Sequence, residues 1–213
     1  MEHIPPASFF PKDQRNQLLT VPSCERHNNK KSTEDVYILA HICMNSSPSN
    51  RSREIFTKSI VPQLDYNSEA LRKTLAAGSV ASASGAVAYV VDTARFDRFF
   101  TALSCGIVYK ACRASLPDGY TTNHVYHNLI DKAEPPQMKQ LKKMLLSFYG
   151  GEPMAALEFG QVKALNTTVY AVKVFGMPGF LTSITIVHDF YGVFRVTSML
   201  SKQNGPVLLR NAP

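Results

Sequence analysis

The spacing of apolar residues changes along this chain of 213 residues. From about residue 33 to residue 150, apolar residues recur mainly at intervals of three and four, which is the spacing of one helix face. Beyond Ala156 they alternate with polar residues at a period of two, which is typical of strands with one buried face. The change in period predicts an α+β fold, in which helices precede an antiparallel sheet.

The helical part is expected to contain five segments. The first begins at Ser32 or Thr33, where a hydroxyl can cap the helix and the acids Glu34 and Asp35 occupy the first turn. Its apolar positions share one face: Val36, Leu39, Ala40 and Cys43. The other predicted helices cover residues 51–60, 68–77, 93–114 and 135–149. The fourth has the strongest apolar stripe, formed by Phe96, Phe99, Phe100, Leu103, Ile107 and Val108.

Strands are predicted in three parts of the chain. Residues 18–21 form a short β-prone run before Pro22, and residues 86–91 form another after the Gly/Ala/Ser-rich linker 78–85. Three further runs, 169–175, 181–187 and 193–199, predict an antiparallel meander. The Ser/Pro/Asn-rich break at 46–50 is the best candidate boundary. We therefore expect a module at 1–45 and an α+β domain at 46–213.

Composition narrows the class of protein. Hydrophobic residues make up 45% and charged residues 18%, which indicates a folded chain with a sizeable core. The net charge of +7 favours an anionic partner. The four cysteines form no dense framework and no secretory segment opens the chain, so a reduced, cytoplasmic location is expected. No apolar run reaches the roughly 18 residues of a membrane span.

Three short segments carry the candidate chemistry. They read EHIPPASFF from Glu2, NQLLTVPSC from Asn16 and HNNKKS from His27, in an order that suits two strand ends and a helix. Together they resemble the ββα-metal core of HNH endonucleases. The resemblance implies that residues 1–45 form a ββα-metal-like module, followed by helices and the C-terminal antiparallel sheet.

The resemblance also implies catalytic roles for four residues. Glu2 would be a metal ligand, His3 the general base, and Asn28 the second residue at the metal. Asn16 would orient the loop that carries His3. The expected cofactor is Mg²⁺ or a similar divalent ion, and the expected reaction is hydrolysis of a DNA phosphodiester.

Two further pairs of residues belong to the same resemblance. Lys30 and Lys31, at the start of a helix, would neutralise phosphates. Cys24 and His27 stand where many HNH relatives carry the second half of a four-ligand zinc site. The first half, a C-x-x-C ahead of the Glu-His pair, is absent here. Two ligands cannot close a tetrahedral site, so structural zinc is not expected.

The missing C-x-x-C leaves two functions open. If Met1 is a trimmed or misassigned start, the native protein is an active nuclease that acts on DNA. If the protein begins at Met1, it is a non-catalytic HNH-derived binding protein. One example would be a phage-type inhibitor or regulator of a bacterial defence nucleoprotein complex. The oligomeric state and the protein partner are not fixed by the sequence.

Other polar residues have plainer interpretations. His124 and His127 are expected to be ordinary surface or core histidines rather than a metal site. Cys105 and Cys112 share the face of the aromatic stripe and are expected to be buried thiols. The lysines of the last predicted helix, Lys139, Lys142 and Lys143, indicate an amphipathic helix first and a phosphate-contact face second.

Overall fold

The structure is a computed structural model that describes residues 1–15, 18–22, 31–46, 48–81, 83, 85, 87–131, 133–150, 167–176 and 183–202. At 31, 32, 149 and 150 only the course of the backbone is described. The chain divides into two compact units, Met1–Phe99 and Phe100–Pro213, which we call unit 1 and unit 2. The break predicted at 46–50 lies inside unit 1, so the module boundary proposed there stays a prediction.

Unit 1 begins with a minimal hairpin and a helix. Strand β1 (Glu2–His3) pairs antiparallel with β2 (Thr20–Val21), and Glu2 lies opposite Val21. The Ile4 N–H extends the pairing by donating to the Leu19 carbonyl over 2.9 Å. Helix α1 (Lys31–Asn45) follows. The sequence pattern predicts the second strand and the helix, and the order of two strands and a helix is the one that the resemblance implies for residues 1–45.

Helix α1 is buried more completely than its sequence suggests. Leu39, Ala40 and Cys43 are buried as expected, whereas Val36 is only half-buried. The seven consecutive residues from Tyr37 to Cys43 are all buried, so neighbouring segments cover the helix on more than one side. One of these segments is tied to it by the buried Ser52 hydroxyl, which donates to the Cys43 carbonyl over 3.0 Å.

The second helical segment is longer than the sequence predicts. It comprises α2 (Asn50–Ile55), a π-helical turn (Phe56–Ile60) and α3 (Val61–Leu64). Ser49 caps its start by accepting a hydrogen bond from the Ser52 N–H over 3.4 Å. Pro62 has no N–H to donate to the carbonyl four residues back, so the regular α-helical ladder is interrupted where the π turn lies.

The loop after α3 has an unusual backbone. Asn67, Ser68 and Glu69 have φ angles of 50°, 53° and 63°, so three consecutive residues with side chains adopt the left-handed conformation. This conformation costs roughly 1–2 kcal/mol for each residue that carries a Cβ atom. Helix α4 (Ala70–Ala76) begins directly after the loop.

Replacing Ser68 with glycine is expected to stabilise the protein by up to about 1 kcal/mol, because glycine adopts a positive φ without steric cost. The Ser68 side chain is exposed, so the substitution removes little packing. Urea denaturation followed by circular dichroism measures the change. Ser79→Gly, outside the left-handed loop, is the control and should destabilise slightly. If Ser68→Gly lost as much stability as Ser79→Gly, the left-handed backbone at Ser68 would not be strained.

Unit 1 also contains a second hairpin and the first part of the longest described helix. Strands β3 (Val80–Ala81) and β4 (Val87–Ala88) pair antiparallel, so the predicted linker 78–85 contributes a strand of its own. Helix α5 (Thr93–Cys112) starts in unit 1 and ends in unit 2. The predicted apolar stripe is confirmed: all six residues except the half-buried Phe99 are buried.

Unit 2 contains a four-stranded antiparallel sheet, in which the three strands predicted for the C-terminal region are joined by a strand that the sequence did not predict, β5. Its strands lie in the order β5, β8, β7, β6, so the chain's last described strand pairs with β5 on one side and β7 on the other. The bounds are β5 Tyr120–Tyr126, β6 Tyr170–Gly176, β7 Ser183–Phe190 and β8 Phe194–Lys202. Helix α6 (Pro136–Gly150) lies between β5 and β6 in the chain.

Local geometry fixes the turn between β7 and β8. Phe190 and Phe194 face each other across the hairpin, and the Val193 N–H donates to the Phe190 carbonyl over 3.1 Å. The turn uses Tyr191 and Gly192 in the left-handed conformation, with φ of 57° and 68°. Among the described residues, no helix combines the length and the apolar character that crossing a bilayer requires.

Candidate functional site

The first candidate site is the hairpin that carries Glu2 and His3. Successive residues of a strand point to opposite faces. Burial follows this rule, because Glu2 is half-buried and the His3 side chain is exposed to solvent. The exposed His3 imidazole can accept a proton from water, and the Glu2 carboxylate, on the other face of the strand, carries oxygen atoms of the kind that bind Mg²⁺.

Buried residues directly after β1 hold this hairpin in unit 1. Ile4, Phe9 and Phe10 are at most 6% exposed, and the ring of Phe9 stacks on that of Phe99 with centroids 5.5 Å apart. Arg15 donates from Nε to the Phe10 carbonyl over 3.1 Å. His3 is therefore placed one residue from a packed anchor, which limits fraying of the terminal strand.

Most of the other predicted HNH residues fall outside the described part of the chain. These are Asn16, Cys24, His27, Asn28 and Lys30. Lys31 is the first residue of α1, and its side chain is not among those described. Within the described residues, no group of three or more His, Cys, Asp or Glu side chains is placed to hold a metal ion. The roles predicted for the HNH residues outside the described part and for Lys31 therefore stay predictions.

The second candidate site is a cleft in unit 1 that the sequence did not predict. Its volume is about 300 Å³. Its walls are provided by α1, the segment from α3 into the following loop, helix α4 and the start of α5. The polar side chains that line it are those of Thr33, Tyr37, Gln63, Tyr66, Asn67, Thr74 and Arg95.

Arg95 is held in a fixed position beside this cleft. Its guanidinium lies over the Tyr37 ring, with Cζ 3.7 Å from the ring centroid. Its Nε donates to Glu34 Oε2 over 2.7 Å, and its side chain is 15% exposed. The Tyr37 hydroxyl in turn accepts from the Asp92 N–H over 2.9 Å. Spacing alone does not indicate this cluster, because Glu34 and Arg95 are 61 residues apart.

Behind Tyr37 lies a fully buried histidine. The ring of His41 packs edge-on against Tyr37 and Phe96, with centroids 4.5 Å and 6.0 Å away. Neither of its ring nitrogens has a hydrogen-bond partner among the described residues. Burial, reinforced by the positive charge of Arg95, lowers the pKa of His41 to about 4. The ring is therefore neutral at pH 7.

The third candidate is a buried hydrogen-bond chain in unit 2. His188 Nε2 lies 3.1 Å from Ser104 Oγ, and His188 Nδ1 lies 2.8 Å from the Tyr170 hydroxyl. This order of groups is similar to that of a nucleophilic triad, but all three side chains are 0% exposed. Burial raises the pKa of Tyr170 well above 10 and lowers that of His188 to about 3. A neutral, solvent-free chain of this kind stabilises the core.

His124 and His127 take part in similar contacts at the edge of the sheet. His124 Nδ1 lies 2.8 Å from Ser198 Oγ, and its Nε2 lies 3.0 Å from Thr101 Oγ1. His127 Nε2 lies 2.9 Å from Thr197 Oγ1. Burial and the nearby Arg195 and Lys142 charges lower the pKa of His127 to about 4. Both residues are packed against the sheet, as ordinary core-edge histidines are.

The cysteines of α5 and the lysines of α6 are the last residues that the sequence singled out. Cys105 and Cys112 are half-buried rather than buried, and burial raises the pKa of both thiols, which disfavours the thiolate. On α6, Lys139 and Lys143 are exposed, whereas Lys142 is ion-paired with Glu134 over 2.5 Å.

Comparison with known proteins adds no family to this description. The comparisons found no match among protein-family models, curated proteins or solved structures.

Proposed function

We propose that this protein hydrolyses DNA phosphodiester bonds with the help of a divalent metal, using a site of the HNH type at its N-terminal hairpin. The observation that supports the proposal most is the strand order at the N-terminus. Glu2 and His3 form a strand that pairs with residues 20–21, and helix α1 follows, with the His3 imidazole exposed. The position of His3 suits a general base that must reach water and a bound backbone.

The roles proposed for His3, Glu2 and Asn28 are those that metal-assisted hydrolysis of a phosphodiester requires. The His3 imidazole takes a proton from the attacking water, because an exposed imidazole nitrogen can act as a general base. The Glu2 carboxylate, a hard oxygen donor, would hold Mg²⁺ together with Asn28. When bound, such an ion supplies positive charge at the scissile phosphate. The net charge of +7 favours approach of the polyanion.

The test is a plasmid-nicking assay with the purified chain in Mg²⁺ or Mn²⁺. We expect cleavage that EDTA abolishes, and a rate about 10²–10⁴-fold lower in His3→Ala, because a general base contributes rate factors of this size. Glu2→Gln is expected to raise the concentration of metal needed for half-maximal activity. Thermal melting confirms that both variants fold.

Asp13→Asn is the matched control, since it removes an exposed carboxylate elsewhere in unit 1 and should keep the activity. Cleavage by His3→Ala at the rate of the unmodified protein would refute the catalytic role. Tight binding of DNA or a nucleoprotein complex without cleavage, unchanged in His3→Ala and in EDTA, would indicate the non-catalytic binding protein instead.

A further inference from the structure

We infer that the unit 1 cleft beside Arg95 binds a nucleotide, meaning a nucleobase together with its phosphate. The cleft measures about 300 Å³, which lies at the lower end of the range for small-molecule sites. Neither Glu2 nor His3 lines it. The inference therefore does not rest on the proposed nuclease activity.

The charged group of the cleft suits the phosphate. Arg95 is the one charged residue among the described residues that line it. Stacking on Tyr37 and the Nε hydrogen bond to Glu34 fix the guanidinium. This arrangement leaves the terminal N–H groups as donors. A guanidinium held in this way loses little freedom when it binds a phosphate in a bidentate manner. The lack of a lining carboxylate among these residues argues against a cationic ligand.

The aromatic and amide groups suit the base. Tyr66 is 75% exposed and lines the cleft, so one face of its ring is available for stacking. Asn67 and Gln63 line the cleft as well. Gln63 donates from Nε2 to the Ser59 carbonyl over 2.6 Å, which fixes its amide and leaves Oε1 as an acceptor. Asn and Gln amides pair well with the edge of adenine.

The backbone conformation that places Tyr66 and Asn67 at the cleft costs free energy. Asn67 is the first of the three consecutive left-handed residues, and it follows Tyr66 directly. Strained backbone of this kind is concentrated at ligand-binding sites, where the fold holds a residue in a functional position. The loop therefore places an exposed ring and an amide at consecutive positions that both line the cleft.

The test is isothermal titration of the full chain with 2′-deoxyadenosine 5′-monophosphate, without metal. We expect binding that weakens at least tenfold in Arg95→Gln and about tenfold in Tyr66→Ser. Deoxyadenosine, which lacks the phosphate, should bind the unmodified protein at least tenfold more weakly, and Arg95→Gln should not weaken it further. Arg53→Gln, an exposed arginine of unit 1 that does not line the cleft, is the matched control.

Two results would overturn the inference. One is no binding at millimolar nucleotide, and the other is affinity unchanged in both Arg95→Gln and Tyr66→Ser. Because Tyr66 is exposed, its variant stays informative even if Arg95→Gln does not fold. Titration with the trinucleotide d(TAT) tests whether the cleft takes a nucleotide within a DNA strand or a free nucleotide. Binding as tight as that of the mononucleotide indicates a residue within a strand, and exclusion of d(TAT) indicates a free nucleotide.

Discussion

Lowering the pH from 6.5 to 4.5 is expected to remove on the order of 2 kcal/mol of folding free energy at each of two buried histidines, His41 and His188. Both side chains are 0% exposed. Their folded-state pKa values are about 4 and about 3, below the ordinary value of 6.5. The native protein keeps both rings neutral in this range, whereas the unfolded chain binds a proton at each.

The sign follows from this difference in bound protons. Between the folded and unfolded pKa values the unfolded state holds the extra proton, so stability rises with pH by at most about 1.4 kcal/mol per unit for each ring. The contribution is fully present above pH 6.5 and is lost as the pH falls towards the folded pKa. Burial is the main cause at both sites. The positive charge of Arg95 adds to it at His41, and His124 adds to it at His188.

Urea denaturation at several pH values between 4.5 and 7.5 measures this effect. His41→Phe keeps an aromatic ring against Tyr37 and Phe96 but cannot bind a proton, so the stability of unit 1 should depend less on pH. Ile38→Val, a buried neighbour on α1, is the control: it lowers stability equally at all pH values. An unchanged pH dependence in His41→Phe would show that His41 is not neutral in the fold.

Replacing Phe100 with alanine is expected to destabilise unit 2 by about 3–5 kcal/mol, because the substitution removes a large buried side chain and leaves a cavity. Phe100 is 0% exposed. Its ring packs against those of four residues, with centroids 5.5–6.1 Å away: His124, Tyr126, His188 and Phe190. The Phe100 ring therefore packs against His188, the central residue of the buried hydrogen-bond chain that also contains Ser104 and Tyr170.

Far-UV circular dichroism during urea denaturation measures the loss, since the chain contains no tryptophan to report by fluorescence. Phe148→Ala on α6 is the matched control. Its ring is 50% exposed, and its removal should cost far less. Phe100→Leu keeps part of the volume and should fall between the two. Equal destabilisation by Phe100→Ala and Phe148→Ala would contradict this view of the core.

Local patterns predicted most of the elements correctly. The stripe from Phe96 to Val108 lies on a helix because its spacing matches the helical period. The three C-terminal runs are strands because their side chains alternate. The strand order at 2–21 also agrees with the resemblance that the segments at Glu2 and Asn16 suggested. The family membership and chemistry implied by that resemblance stay predictions.

Other features were missed because they depend on residues far apart in the chain. Strand β5 pairs with β8 rather than with a sequence neighbour. Arg95 meets Glu34 and Tyr37 only after α1 and α5 have packed. One signal for His188 was present: it occupies the same strand face as Ile184, Ile186 and Phe190, which are buried. A histidine at an inward position indicates a buried polar partner.

An N-terminal candidate site built on Glu2 and His3 came from the resemblance and stays a prediction, whereas the sequence by itself determined the α+β class and the positions of the main helices and strands. These properties depend on neighbours within a few residues, where periodicity and capping act. Only the tertiary structure decided the order of the sheet, the neutral buried histidines and the cleft at Arg95. Each of these requires side chains separated by tens of residues to lose contact with water together, and no local pattern encodes that event.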